Sequence, residues 1–165
     1  MRMRFGLLIA QAALLLCSAV ATAQTSPTES RLRDRNNLLV ISYHDVRDDV
    51  AKSGDPDVYA VNTRNLIQQF DWLAANGYHP VSMAQLVRHV KQGEPLPERP
   101  VLLTFDDGLR SVYTKAFPLL RAYNYPAVVA VVTSWLELPE GQNFDYGPRF
   151  FGRDDCVTWD QLKEM

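Results

Sequence analysis

Two adjacent aspartates at the end of an apolar run constrain this chain more than any other feature of its sequence. The run Val101–Leu103 is typical of a buried strand, and Asp106 and Asp107 follow it closely. Carboxylates at the end of a buried strand are costly unless a ligand or a reaction uses them. We therefore interpret the pair as part of a hydrolytic site with a divalent metal. The alternative is a plain turn, because Asp-Gly pairs are frequent in turns.

The two carboxylates can face one site only if the backbone leaves strand geometry after Asp106. Neighbouring side chains on a regular strand point to opposite faces. Gly108 permits the departure, because glycine tolerates positive φ. A bound cation would also offset the repulsion that raises the pKa of one of two close carboxylates.

A second polar pair, His44 and Asp45, directly follows the apolar run that ends near Ile41. Strand-like and helix-like segments alternate along the chain, which predicts a parallel α/β sheet. Functional groups of such sheets collect at the carboxyl ends of the strands. We therefore expect His44 to lie near the Asp pair, although a lone histidine is more often structural.

The remaining pattern predicts helices with identifiable starts and stops. We expect helices capped by Thr63, Ser82, Ser111 and Thr158, a kink or a restart at Pro118, a buried strand over 127–132, and a long irregular loop over 138–156.

The first 23 residues have the pattern of a secretory signal peptide. Arg2 and Arg4 precede a mostly apolar stretch, and Ala21–Ala23 is typical of a cleavage site. The stretch is short for a membrane span, which needs about 20 residues. We expect export to the periplasm or cell envelope, with no transmembrane span in the mature chain. Lipid anchoring at Cys17 is disfavoured, because Leu16 rather than a small residue precedes it.

The predicted mature protein has a flexible lead-in over 24–37 and one domain over 38–165. Cleavage would leave 142 residues with 15 basic and 19 acidic side chains, which is enough for one domain with a core. No basic patch stands out, so nucleic acid and anionic membranes are poor candidates for partners. Cys156 would be the remaining cysteine, which excludes an internal disulfide and a Cys-ligated zinc site.

The segment Thr104–Gly108, with the sequence TFDDG, resembles the first motif of the NodB-homology polysaccharide deacetylases, carbohydrate esterase family four. Tyr43–Val46 strengthens the resemblance. With further short segments, the chain is most similar to the biofilm branch, whose members partly de-N-acetylate poly-β-1,6-N-acetylglucosamine during export. Leu109 favours the same branch, because chitin and peptidoglycan deacetylases usually have proline there. The further segments are Asn76–Tyr78, Pro80–Ser82 and Thr158–Trp159.

The resemblance implies a partial (β/α) barrel of the NodB-homology type with parallel strands. It implies that Asp106 is the general base and that Asp107 binds a divalent metal, zinc or another transition metal. His44, Asp45 and Gly108 would line the substrate pocket. The metal would polarise the acetamide carbonyl and lower the pKa of a bound water, and Asp106 would take the proton as that water attacks. Acetate would leave, and a free amine would remain on the sugar.

The sequence departs from the family pattern in the rest of the metal site. The family completes the site with two histidines in a His-x-x-x-x-His type motif, which none of His44, His79 and His89 matches. An eight-unit barrel also takes roughly 250 residues. We therefore expect an incomplete barrel, from the N-terminal part of a longer protein or a truncated gene product. Such a fragment should bind metal weakly and turn over slowly or not at all.

The preferred function is thus metal-dependent N-deacetylation of an exported poly-N-acetylglucosamine, with that polysaccharide as partner and the export machinery as a further candidate. Two alternatives stay open: a non-catalytic glycan-binding or scaffold domain, and a deacetylase of chitin or peptidoglycan. A glycosidase is a third class. Adjacent aspartates are an unusual source for two carboxylates that must straddle a glycosidic bond.

Overall fold

The computed structural model describes residues 37–51, 54–147 and 149–165. The predicted signal peptide and all but the last residue of the predicted lead-in lie outside these residues, so both stay predictions. None of the helices in the described part of the chain combines the length and the apolar character that a bilayer crossing requires.

The described residues contain eight short strands and five α-helices. The strands are β1 (Leu39–Tyr43), β2 (Asp45–Arg47), β3 (Ala60–Asn62), β4 (His79–Pro80), β5 (Pro100–Phe105), β6 (Val128–Val129), β7 (Asn143–Tyr146) and β8 (Arg149–Gly152). The helices are α1 (Thr63–Ala75), α2 (Met83–Gln92), α3 (Phe117–Tyr123), α4 (Thr133–Leu136) and α5 (Trp159–Glu164).

A parallel sheet forms the centre of the fold, as the sequence predicts. β5 lies in the middle and pairs in parallel with β1 on one side and with β4 and β6 on the other. All of β5 except Thr104 is buried, as expected for a central strand with an uninterrupted apolar sequence. β2 and β3 form a separate parallel pair beside this sheet.

Helices α1 and α3 supply much of the main apolar core. Leu66, Phe70 and Leu73 of α1 are fully buried, at the 3.6-residue spacing of an amphipathic helix. They share one core with the strands β1 and β5 and with the segment that precedes α3. The core stabilises the sheet from which the polar strand ends project.

The starts of the helices confirm some predicted caps and correct one. Ser82 and Gln85 form the predicted capping box of α2, and Thr158 forms that of α5. The predicted cap of α1 at Thr63 is wrong by one residue, because Asn62 accepts the hydrogen bond from the Arg64 amide. Asn and Thr are both good caps, so their adjacency left the choice open.

The predicted cap at Ser111 is wrong. The helix it should open begins with a π-helical turn, Val112–Ala116, without a side-chain cap, and continues as α3 with Pro118 in its first turn. The chain stays helical through Pro118, so the interruption expected there takes the form of a change from a π-helical to an α-helical turn. The Ser111 hydroxyl instead donates a hydrogen bond to the Asp45 carboxylate and accepts one from the Val46 amide.

The expectation of an irregular loop over 138–156 is also wrong. This region contains an antiparallel hairpin in which β7 pairs with β8, followed by a 3-10 turn at Arg153–Asp155. Trp135, Phe144 and Phe151 pack in small clusters with Leu109 and with Cys156, which is a buried free thiol. The predicted strand over 127–132 is reduced to the two residues of β6.

Candidate active site

The register between β1 and β5 brings the two polar segments together. Tyr43 lies opposite Phe105 as the last pair of the parallel ladder, so His44 and Asp106 leave the sheet at the same level. The Asp106 amide donates a hydrogen bond of 2.8 Å to the Tyr43 carbonyl. This placement confirms that both predicted polar pairs lie at the carboxyl edge of the sheet.

The backbone turns sharply just after Asp106. Asp107 has a φ of 71° and Gly108 a φ of 75°, so two successive residues adopt the left-handed conformation, which is uncommon for aspartate. A Cβ on Gly108 would lie 2.9 Å from Val131 Cγ1. The turn therefore needs glycine at 108 both for its conformation and for the space beside Val131.

Each acid of the pair accepts a hydrogen bond from a different hydroxyl group. Ser42 on β1 donates to Asp106 Oδ2 at 2.6 Å, and Tyr146 on β7 donates to Asp107 Oδ2 at 3.0 Å. Burial first, and then the bond to Asp107, raise the pKa of the Tyr146 phenol well above its usual value, so it stays a hydrogen-bond donor at neutral pH. The two carboxylates are thus held by hydroxyl groups from two different elements, β1 and β7.

Sequence reasoning missed both hydroxyl donors. Ser42 belongs to an apolar strand and carries no motif. Its position near the end of β1, two residues before His44, is the one signal that could have singled it out. Tyr146 falls in the region expected to be irregular, where no register was available to place its side chain.

His44 lies beside the acid pair at its Asp107 side. Its Nε2 is 3.9 Å from Asp107 Oδ2, and both side chains are about one-quarter exposed. The imidazole also contacts the ring of Tyr59, with 5.1 Å between the ring centroids. The structure therefore brings His44, Asp106, Asp107 and Gly108 together at one edge.

Asp45 follows His44 but belongs to a buried ionic cluster. It is 3% exposed, and its carboxylate accepts hydrogen bonds from Ser111 at 2.7 Å and from Arg149 at 2.6 Å. Arg47 lies 3.6 Å away. The cluster thus links β2, the turn before the π-helical segment, and the hairpin.

The donor set for a metal is incomplete among the described residues. Asp107 fits as one ligand, because carboxylate oxygens bind divalent cations and this one is partly exposed at the sheet edge. However, the described residues contain no group of three or more His, Cys, Asp or Glu side chains that could hold a metal ion. His79 and His89 lie elsewhere, each with its Nδ1 at a backbone carbonyl oxygen.

Comparison with known proteins agrees with this geometry. Residues 93–165, which include the acid pair, match the family model described as polysaccharide deacetylase. This segment belongs to the polysaccharide deacetylase family. The resemblance inferred from the TFDDG motif is thereby confirmed.

The relatives of this deacetylase segment extend the similarity toward the N-terminus. The poly-beta-1,6-N-acetyl-D-glucosamine N-deacetylase of Escherichia coli K12 is 38% identical over 168 residues, which cover 96% of this chain and 25% of that protein. The BpsB deacetylase domain of Bordetella bronchiseptica is 48% identical with a TM-score of 0.62, and the de-N-acetylase of Aggregatibacter actinomycetemcomitans is 41% identical with a TM-score of 0.68. Each of these two alignments covers 77% of this chain and 49% of the other.

The chain therefore spans about half the length of the two solved deacetylases and a quarter of the Escherichia coli protein. Its parallel strands and helices correspond to part of the deacetylase fold, which confirms the prediction of a partial barrel.

Proposed function

We propose that this protein takes part in hydrolysing the N-acetyl groups of an exported poly-N-acetylglucosamine polysaccharide. The reaction would break a carbon–nitrogen bond of a non-peptide amide and release acetate. The observation that carries the proposal is the acid pair at the end of β5, oriented by two separate hydroxyl groups, in a chain similar to poly-N-acetylglucosamine N-deacetylases.

In this proposal Asp106 is the general base. Its carboxylate is partly exposed at the strand end, and the Ser42 hydroxyl fixes one of its oxygens. A positioned carboxylate can take a proton from a water that attacks the acetamide carbon. His44 and Gly108 form the adjacent wall, and Asp45 supports that wall from the buried cluster.

We further propose that the reaction depends on a divalent metal with Asp107 as one of its ligands. Support comes from the family resemblance and from the Asp107 carboxylate, which Tyr146 orients through one oxygen. Further ligands are needed beyond the described residues. A chelator should stop the release of acetate, and the addition of zinc or another transition metal should restore it.

The proposed location is the periplasm or the cell envelope, with the polysaccharide as partner and the export machinery as a further candidate. The support is the signal-peptide pattern of residues 1–23. A fusion of the first 30 or so residues to a reporter protein tests it: the reporter should leave the cytoplasm and lose the first 23 residues.

A hybrid domain tests the catalytic proposal. The chain would be joined after Met165 to the part of the Bordetella bronchiseptica domain that it does not match, to supply the remaining ligands. We expect this hybrid to release acetate from β-1,6-linked N-acetylglucosamine oligomers. Asp106→Asn should lower the rate by about 100-fold or more, because the base is lost.

Asp160→Asn is the matched control, since this acid lies in the first turn of α5 and pairs with Lys163 on the surface. It should leave the rate unchanged. A folded hybrid that releases acetate equally well with Asp106→Asn would contradict the proposed role of Asp106.

A non-catalytic glycan-binding domain is the second candidate. The observation that favours it is the incomplete ligand set among the described residues. It predicts that the 165-residue protein binds N-acetylglucosamine oligomers, that Asp106→Asn does not weaken binding, and that the hybrid releases no acetate.

A further inference from the structure

Tyr59 presents an exposed aromatic ring beside the acid pair. The residue is 54% exposed, and its ring centroid lies 5.1 Å from that of His44 and 6.2 Å from that of Tyr146. Both neighbours contact Asp107, through a separation of 3.9 Å from His44 Nε2 and a hydrogen bond of 3.0 Å from the Tyr146 hydroxyl. The Tyr59 ring therefore flanks the acids and leaves much of its own surface open to solvent.

The backbone that carries this ring is held by the acidic side chains of Asp57 and Asp55. The Tyr59 amide donates to Asp57 Oδ1 at 3.1 Å, and the Ala60 amide donates to the Asp57 carbonyl at 3.3 Å. Asp57 is 2% exposed. The Asp57 amide in turn donates to Asp55, whose carboxylate also binds Arg47 at 2.9 Å.

The backbone that carries this ring is already fixed before a ligand binds. The ordering cost of binding here is therefore confined largely to the side chain. Single exposed aromatic residues are common, but this one touches two of the side chains that contact Asp107.

A pyranose ring fits both parts of this surface. One face of a β-linked hexosamine is largely C–H and suits the flat ring of a tyrosine, while its hydroxyl and acetamide groups suit the adjacent polar edge. We propose that Tyr59 is the platform on which one N-acetylhexosamine ring of the polysaccharide stacks beside the acid pair. This inference rests on the proposed function, for which it names the contact that places the sugar.

Binding by the 165-residue protein tests this inference without requiring turnover. Wild type and variants would be titrated with a β-1,6-linked N-acetylglucosamine pentamer by isothermal calorimetry. We expect Tyr59→Leu to weaken binding about tenfold or more, because it removes the flat ring but keeps apolar bulk. Tyr59→Phe keeps the ring and should bind within about threefold of wild type.

Trp72→Leu is the matched control. Trp72 is 50% exposed, but its ring stacks on Tyr78, which directly precedes β4 at the edge of the sheet opposite the acids. The Trp72→Leu variant should bind the pentamer with the affinity of the wild type. Equal binding by wild type and Tyr59→Leu overturns the platform, as does a loss of binding by Trp72→Leu that matches the loss by Tyr59→Leu. Absence of binding by the wild type also overturns it.

The outcome is separable from the test of the proposed function. If the hybrid domain releases acetate and Tyr59→Leu changes neither that rate nor pentamer binding, the catalytic proposal stands and the platform is wrong. If Tyr59 variants alter binding as expected while the hybrid releases no acetate, the platform stands and the catalytic proposal is wrong.

Discussion

Two hydroxyl groups each donate a hydrogen bond to one of the two neighbouring carboxylates. Ser42 holds Asp106 from β1, and Tyr146 holds Asp107 from the hairpin. Hydrogen bonds to charged groups contribute about 1.5–3 kcal/mol each. The two donors come from different elements, so each carboxylate has its own hydroxyl partner, as the proposed division into a base and a metal ligand requires.

Ser42→Ala should slow acetate release by the hybrid domain about tenfold. The substitution removes the donor that fixes Asp106, so the base samples unproductive orientations. Initial rates at saturating oligomer measure the effect, which should appear in kcat more than in KM. Ser134→Ala, an exposed serine of α4, is the control. Equal rates for wild type and Ser42→Ala would show that Asp106 needs no such support.

Tyr43 should make the fold sensitive to alkali. Burial raises the pKa of this phenol to about 12, from the 10.0 of a free tyrosine. The folded protein therefore keeps a proton that the unfolded chain loses, so this stability is intact below about pH 10 and is lost as pH rises toward 12. The loss should reach about 2 kcal/mol.

Urea unfolding from about pH 8 to about pH 12 measures this loss, with Tyr43→Phe as the comparison. The variant loses the hydrogen bond to Gln69 and should be less stable at neutral pH. The gap to wild type should shrink above about pH 10. Parallel curves over the whole range would disprove the assignment to Tyr43.

Residues at strand ends could be predicted from the sequence, whereas their supporting partners could not. The apolar runs before His44 and Asp106 fix where each strand stops, and parallel pairing then brings the two together. Ser42, Tyr59 and Tyr146 matter only through register and loop geometry, which the apolar pattern does not contain. The acids themselves stand out because burial without a use is costly.

At the scale of elements, the turn after β5 packs tightly against the segment that follows β6. The Val132 amide donates to the Asp107 carbonyl at 3.4 Å, and the Val157 amide donates to the Gly108 carbonyl at 2.9 Å. Val131 lies directly against Gly108. The conformation of the acid pair is thus set jointly by β5 and by two later segments.

Gly108→Ala should destabilise the protein by about 2–3 kcal/mol, from the left-handed backbone and the clash with Val131. Gly141→Ala separates the two causes, since Gly141 has a φ of 79° and no heavy atom within 4 Å of a Cβ built on it. It should cost about 1 kcal/mol. Free energies of unfolding from urea titrations measure both, and equal losses would rule out the contact with Val131 as a cause.

The sequence pattern did not predict the hairpin of β7 and β8. Gly147 and Pro148 between aromatic residues favoured an irregular loop. In the structure Phe144 lies opposite Phe151, and their side chains pack with Trp135 and Leu109. The strands are four residues each, too short for a clear alternation, and they owe their pairing to this tertiary packing.

At the scale of the whole molecule, Asp45 joins parts that are distant in sequence. Arg149 comes from the hairpin, Ser111 from the turn before the π-helical segment, and Arg47 from β2. A carboxylate buried to this degree is stable only with such partners. The cluster thus couples the hairpin, which carries Tyr146, to the first strand pair.

Asp45→Asn should lower the free energy of unfolding by about 2–4 kcal/mol, because it removes a buried charge and leaves the partly exposed guanidinium of Arg149 without its hydrogen-bonded ion-pair partner. Asp49→Asn is the matched control, since Asp49 also contacts Arg47 but its side chain is 79% exposed. That change should stay within about 0.5 kcal/mol of wild type. Urea titration measures the free energy of unfolding of both variants. Similar losses of stability would show that the burial of Asp45 adds nothing to the stability of the protein.

The last residue pair of the ladder between β1 and β5 links the arrangement of the candidate site to the stability of the sheet. His44 and Asp106 sit in distant stretches of the polypeptide and become neighbours only when Tyr43 faces Phe105. A slip of one residue in that pairing would turn the side chains of the displaced strand to the opposite face. Heat or a mutation that loosens the pairing of β1 with β5 should therefore separate His44 from the acid pair as the sheet unfolds.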